Sequence, residues 1–171
     1  MSAALTPPFT VAALLLCLAG ALKLRSPGTA AGALRTLGLP GSAGLVRALA
    51  AGELVLGGLC AIHPNRVAAI VLTAAYVTFA GVAAALARSR AACGCFGEDD
   101  TPVSAVHVLA SVVLGAVAAA AAAAGPQGLG WVLGRPAATA AVLVCGIAGA
   151  LYAVVVVYTE LPTAWAAWGG Q

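Results

Sequence analysis

Long apolar runs, separated by short polar connections, constrain this chain more than any other feature. The runs lie at about residues 8–24, 43–62, 66–87, 104–123 and 136–158. Each is near the length of about 20 residues that an α-helix needs to cross the hydrocarbon core of a bilayer. Of the 171 residues, 63% are hydrophobic and only 8% are charged, whereas a soluble domain carries about a quarter charged residues. A chain this poor in charge cannot cover a water-facing surface, so it needs lipid as part of its solvent. The expectation is an all-α fold: a polytopic membrane helical bundle, forming a single membrane domain over residues 1–171 in a multi-pass plasma-membrane protein. With 8 Lys+Arg against 5 Asp+Glu, the net charge of +3 is weak and dispersed. No basic run follows a helix face, which argues against nucleic acid as a partner. No internal repeat is evident, and Ala118 to Ala124 is unbroken alanine, a stretch where hydropathy alone says little.

The charges are better read as topology signals. The first apolar run opens at Pro7-Pro8, residues tolerated in the first turn of a helix, and closes at Lys23 and Arg25. A cleaved signal peptide needs basic residues before the apolar stretch, and none precedes Lys23, so a retained span is expected. Leu16 precedes Cys17 where a lipoprotein signal has a small residue. Lys23 is expected to snorkel to the interface. Residues 25–42 read as a Gly/Pro-rich connection, and His63-Pro64-Asn65 as a tight turn. Lys23, Arg25, Arg35, Arg47, Arg88 and Arg90 fall on one side, and Arg66 and Arg135 on the other. The positive-inside rule puts the first group in the cytoplasm. Trp165 and Trp168 in the tail suit the headgroup level.

Three places could carry chemistry. Cys93-Gly94-Cys95-Phe96-Gly97 puts two cysteines one residue apart. Such a pair can close a small disulfide ring, helped by a glycine that tolerates unusual backbone angles. Strained, exposed disulfides are oxidising and labile. Arg88 and Arg90 favour thiolate, while Glu98, Asp99 and Asp100 oppose it. The plainer reading is a pair of reduced loop cysteines. A third reading joins Cys93, Cys95 and His107 with Asp99 or Asp100 around a metal, but zinc sites use wider cysteine spacings, so no metal is expected. Glu53 sits near the middle of the second span, where a carboxylate is costly unless protonated or paired. It is a candidate proton relay or quinone contact, or else a helix-packing hydrogen bond. By depth, Tyr76, Thr78 and Ser111 are its candidate partners. His107, one turn into the fourth span, is a candidate proton acceptor for a thiol or simply an interfacial histidine. Cys17, Cys60 and Cys145 lie inside apolar runs and read as packing residues. Cys60 lies towards the face opposite the Cys93/Cys95 pair, which disfavours a disulfide between them.

The combination resembles the MauE family of methylamine utilisation membrane proteins, related to the DoxX-like four-helix proteins. Leu18-Ala19-Gly20-Ala21-Leu22-Lys23-Leu24 is similar to a small-residue run ending in Lys-Leu. Ala50-Ala51-Gly52-Glu53-Leu54, followed by Gly57-Gly58, is similar to the family's Glu-bearing second helix. Cys93-Gly94-Cys95-Phe96-Gly97 is the most specific piece. The order holds over about residues 8–125. One departure is His107-Val108-Leu109-Ala110-Ser111, where family members often have an Arg-Asn or Arg-Asp pair. The resemblance implies a DoxX-like four-helix core, to which the apolar run at 136–158 adds a fifth C-terminal span. It also implies a part in disulfide formation during maturation of methylamine dehydrogenase or another exported protein.

Three functions fit these residues. The first is thiol–disulfide exchange through Cys93 and Cys95 with a thioredoxin-like partner and an exported disulfide-containing substrate. No cofactor is evident, and a membrane quinone is the candidate electron acceptor. The second is a non-catalytic membrane scaffold or chaperone, built on Ala/Gly-rich helices that suit close packing. The third is a small-molecule transporter coupled through Glu53, which the scarcity of intramembrane polar groups disfavours.

Overall fold

The computed structural model describes residues 2–89 and 103–161. Among them every regular element is a helix: α1 (Ser2–Arg25), α2 (Gly28–Thr36), α3 (Ala43–Ile62), α4 (Arg66–Ser89), α5 (Ala105–Ala124), α6 (Leu129–Leu133) and α7 (Ala137–Thr159). Five of them, α1, α3, α4, α5 and α7, are long and apolar enough to cross a membrane. The chain is thus a multi-pass membrane protein folded as a helical bundle.

The helix ends follow from local chemistry. Ser42 precedes α3, and its hydroxyl accepts the Leu45 N–H at 3.2 Å, occupying one of the amides that the first turn leaves without an intrahelical partner. Asn65 does the same for α4, its Oδ1 accepting the Ala68 N–H at 2.8 Å. At the far end of α5 the guanidinium of Arg66 donates to the carbonyls of Ala122 and Ala123 at 3.1 and 3.4 Å. A cation there meets the negative end of the helix dipole. Gly125 then turns the chain at φ +88°, a conformation that costs glycine little.

Three regions differ from the sequence expectation. Helix α1 starts at Ser2 rather than at the prolines, so Pro7 and Pro8 lie within it. Being near the helix start, they remove only bonds to the carbonyls of its first turn. The connection over 25–42 holds α2, and the Gly-rich stretch around Trp131 holds α6. Short helices satisfy backbone groups that a bare loop would expose near lipid.

Helix α1 is the centre of the bundle: 56% of its most apolar window is buried, against 6% for α7. Its Phe9, Ala12, Ala13 and Leu16 pack with Leu72 and Tyr76 of α4 and Ala118 and Ala121 of α5. Helix α7 lies at the periphery: its Ile147 packs with Val11 and Val132, its Tyr158 joins the main cluster, and Leu151 and Val154 pack against both. Val55, Val67, Leu109 and Val142 are largely exposed, as befits side chains whose solvent is lipid. The alternating directions of the spans put the end of α1, the start of α3, the end of α4, the start of α5 and the end of α7 on one face. That face is called the α4–α5 face below.

Candidate functional site

Two glycines set the register between α1 and α3. A Cβ on Gly20 would lie 2.7 Å from the carbonyl oxygen of Ala50, and one on Gly57 would lie 2.6 Å from that of Ala13. Any side chain at either position would push the helices apart, so the small residues permit the close approach. This register brings the two charged side chains of the interface together. The Lys23 ammonium donates to both carboxylate oxygens of Glu53 at 2.7 Å. The two side chains keep only 11% and 13% of their exposure. The ring of Phe79 lies 5.0 Å from the same ammonium, within reach of a cation–π attraction.

This pairing corrects two expectations. Lys23 does not snorkel outward. Gly20 lies level with residues 50–54 of α3, so in an antiparallel pair the Lys23 backbone is about four residues, roughly 6 Å, nearer the α4–α5 face than Glu53. Its side chain therefore reaches inward. Nor does Glu53 depend on the hydroxyls that depth suggested. Tyr76 donates to the Ala12 carbonyl at 2.7 Å, Thr78 to Ala74 within its own helix at 2.8 Å, and Ser111 shares a 3.2 Å hydrogen bond with Tyr158.

Beside Lys23 lies a cavity of about 40 Å³ between α1, α4, α5 and α7. Its polar lining is Lys23, Tyr76, His107, Ser111 and Tyr158, set among apolar groups such as Leu16, Ala19, Phe79 and Ala83. A water needs about 10–15 Å³ measured in this way, so a few waters fit. Sites for organic ligands measure about 300–1,000 Å³, so the cavity in this form admits no such solute.

His107 is held by the start of its own helix. The Ser104 N–H donates to Nδ1 at 3.3 Å, and the Ser104 hydroxyl lies 3.3 Å from the same nitrogen. A nitrogen that accepts a backbone N–H carries no proton in the neutral ring, so the proton sits on Nε2. The Tyr158 ring meets the imidazole edge-on, with centroids 5.3 Å apart. The site therefore joins an ammonium–carboxylate pair, an imidazole donor and a pair of hydroxyls around one small space.

The sequence singled out Glu53 and His107, and the structure brings them to neighbouring parts of this site, linked through Lys23 and the cavity. Cys93 and Cys95 lie outside the described residues, as do Asp99 and Asp100. Among the described residues no group of three His, Cys, Asp or Glu side chains could hold a metal ion. Cys17, Cys60 and Cys145 are free thiols. Sequence reasoning missed Lys23 and Tyr158 as site residues. For Lys23 the signal was present: a lysine three residues after Gly20 and a glutamate one after Gly52, of opposite sign, in successive spans.

A family model described as methylamine utilisation protein MauE matches residues 2–126, which takes in α1 to α5 and the Cys93-Gly94-Cys95 segment but not α7. No curated protein matches the chain, and no solved structure does.

Proposed function

Because the chain belongs to the MauE family of methylamine utilisation membrane proteins, we propose that it is a plasma-membrane thiol–disulfide exchange protein. It assists disulfide formation in methylamine dehydrogenase or another exported protein. The observation that carries this reading is that one family match spans Lys23, Glu53 and Cys93-Gly94-Cys95 together.

In this reading a thiolate of a thioredoxin-like partner attacks the Cys93–Cys95 disulfide. A mixed disulfide forms and one cysteine leaves as thiolate. The partner's second thiol resolves the mixed disulfide, and the partner departs oxidised, ready to oxidise an exported substrate. Cys93 and Cys95 are left as the dithiol, having gained two electrons and two protons. A membrane quinone takes up the same electrons and protons and restores the disulfide.

One consideration pulls the other way. The α4–α5 face carries Arg25, Arg35, Arg47 and Arg88, and the opposite face Arg66 and Arg135. The positive-inside rule assigns the more basic face to the cytoplasm, away from an exported substrate. Labelling of intact cells with a membrane-impermeant thiol reagent, with and without prior reduction, decides between them. The expected result is labelling of Cys93 and Cys95 only after reduction and without lysis. Labelling only after lysis, with no reductant needed, overturns the reading.

The alternative is a non-catalytic scaffold role. Maturation of the partner protein that survives replacement of both Cys93 and Cys95 by serine would support that alternative over exchange.

A further inference from the structure

The packed pair of α1 and α3 has two flanks. One turns towards α4 and carries Lys23 and Glu53 beside Phe79. The other is marked by Cys17, whose Sγ lies 3.5 Å from the Leu54 carbonyl oxygen. Along α1, helical steps of four from Cys17 lead to Ala21 and Arg25. Along α3, two turns back from Leu54 lies Arg47, with Ala51 between them. Ala21, Arg25, Arg47 and Ala51 are all exposed.

Register sets these residues side by side. Gly20 meets α3 between the Ala50 carbonyl and the Leu54 amide, level with about residue 52, while Gly57 meets α1 between Ala13 and Cys17. As one number rises the other falls, so the helices are antiparallel. Ala21 is therefore level with Ala51, and Arg25 with Arg47. The result is a shallow groove floored by two alanines, with an arginine on each wall at its end.

Two like charges at one level repel, and more strongly where the surroundings are apolar. Among the described residues neither arginine makes a hydrogen bond or an ion pair, and Glu53 is spent on Lys23. Arg35 of α2 adds a third positive charge at this corner, donating to the carbonyl of Gly41 just before α3 at 3.1 Å. The opposite face differs. There Arg66 donates to the last carbonyls of α5, and Arg135 lies 3.8 Å from the Trp131 ring centroid.

We propose that this groove binds one anionic phospholipid, its phosphate held between Arg25 and Arg47 and an acyl chain lying over Ala21 and Ala51 towards Cys17 and Leu54. A guanidinium matches the geometry of phosphate oxygens, and a shared anion turns the repulsion of the two arginines into attraction. Depth favours a lipid over an acidic soluble protein. Arg25 is the last residue of α1 and Arg47 the fifth of α3, so both stand at the edge of the spans, where headgroups lie. Charge favours an anionic lipid over a zwitterionic one, whose own cation would meet three arginines. The site does not depend on what Cys93 and Cys95 do.

The test is native mass spectrometry of the full chain, released from micelles holding equal amounts of phosphatidylglycerol and phosphatidylcholine with the same acyl chains. A basic residue at a lipid surface favours an anionic lipid by about five-fold, so one phosphatidylglycerol should be retained about ten-fold or more over phosphatidylcholine. Arg25→Gln/Arg47→Gln should abolish that preference. Arg135→Gln, which removes a charge from the opposite face, should leave it in place. Ala51→Phe, which fills the groove and keeps both arginines, should lower retention several-fold. Circular dichroism checks that each variant keeps its helices. Equal retention of the two lipids by the parent protein overturns the proposal, as does a preference that Arg25→Gln/Arg47→Gln or Ala51→Phe leaves intact. Displacement of the lipid by glycerol 3-phosphate at the same concentration also overturns it, because the site would then take a free phosphate.

Discussion

Replacing Lys23 by Met should destabilise the bundle more than replacing Glu53 by Gln, although both remove the same ion pair. Both side chains have lost nearly all of their hydration, at 11% and 13% exposure. Removing one partner of a buried pair costs about 3–5 kcal/mol, because the survivor is left charged and unpaired. A charge at the centre of a spanning helix costs about 2.5–3.5 kcal/mol on insertion scales. For Lys23→Met the survivor is Glu53, whose short side chain sits roughly 6 Å deeper than the Lys23 backbone and cannot reach the headgroups. About 3 kcal/mol is expected. For Glu53→Gln the survivor is Lys23, which starts two residues from the end of α1. Its four-carbon stem can turn outward to the interface, so the cost falls to about 1–2 kcal/mol. Lys23→Met/Glu53→Gln leaves no orphaned charge, since two uncharged side chains then share the interface. It should be markedly less destabilised than the sum of the single variants, with a coupling of about 2 kcal/mol or more. The assay is equilibrium unfolding in mixed micelles, titrated with denaturing detergent and followed by helical circular dichroism. Additive single effects, or a larger loss for Glu53→Gln than for Lys23→Met, would refute the inward-reaching lysine.

Gly57→Ala drives a methyl against the Ala13 carbonyl and the Cys17 amide at 2.6 and 2.9 Å, whereas Gly58→Ala meets open space. The first should cost about 1–3 kcal/mol and the second should be neutral or stabilising, in the same unfolding assay. Tyr76→Phe removes the buried bond to Ala12 and should cost about 0.5–1.5 kcal/mol, without altering the detergent-solubilised secondary structure. Arg66→Met removes the donor to the last carbonyls of α5. Amide exchange should quicken over the final turn of that helix while the Leu72 region stays protected.

The spans were legible because apolar length is a one-dimensional property, and the bilayer reads it in the same way. The family resemblance, resting on Gly20 to Lys23, Gly52-Glu53 and the Cys93-Gly94-Cys95 motif, is matched by the family assignment over residues 2–126. What the sequence hid was register. Depth alone matched Glu53 with Tyr76, Thr78 and Ser111, but depth does not say which helix faces point at one another. Contact with α3 through Gly20 and Gly57 decides that, and it turns Lys23 towards Glu53. The hydroxyls then find helical carbonyls or one another, which is cheaper than leaving them for a carboxylate that already has an ammonium. Helices α2 and α6 were hidden because Gly and Pro dominate their surroundings, and tertiary contact overrode that local signal. Cys93 and Cys95 lie outside the described residues, so their role rests on the sequence and the family.

Helix α7 lies beyond the part of the chain that the family shares, yet its Tyr158 bonds to Ser111 and flanks His107. A bundle ending at residue 126 would leave that side of the cavity facing acyl chains. The fifth span therefore acts as a shutter against lipid, built from an element outside the residues that the family model matches. A bundle of the same design without α7 would have to close that side with a different residue, a lipid or a second subunit.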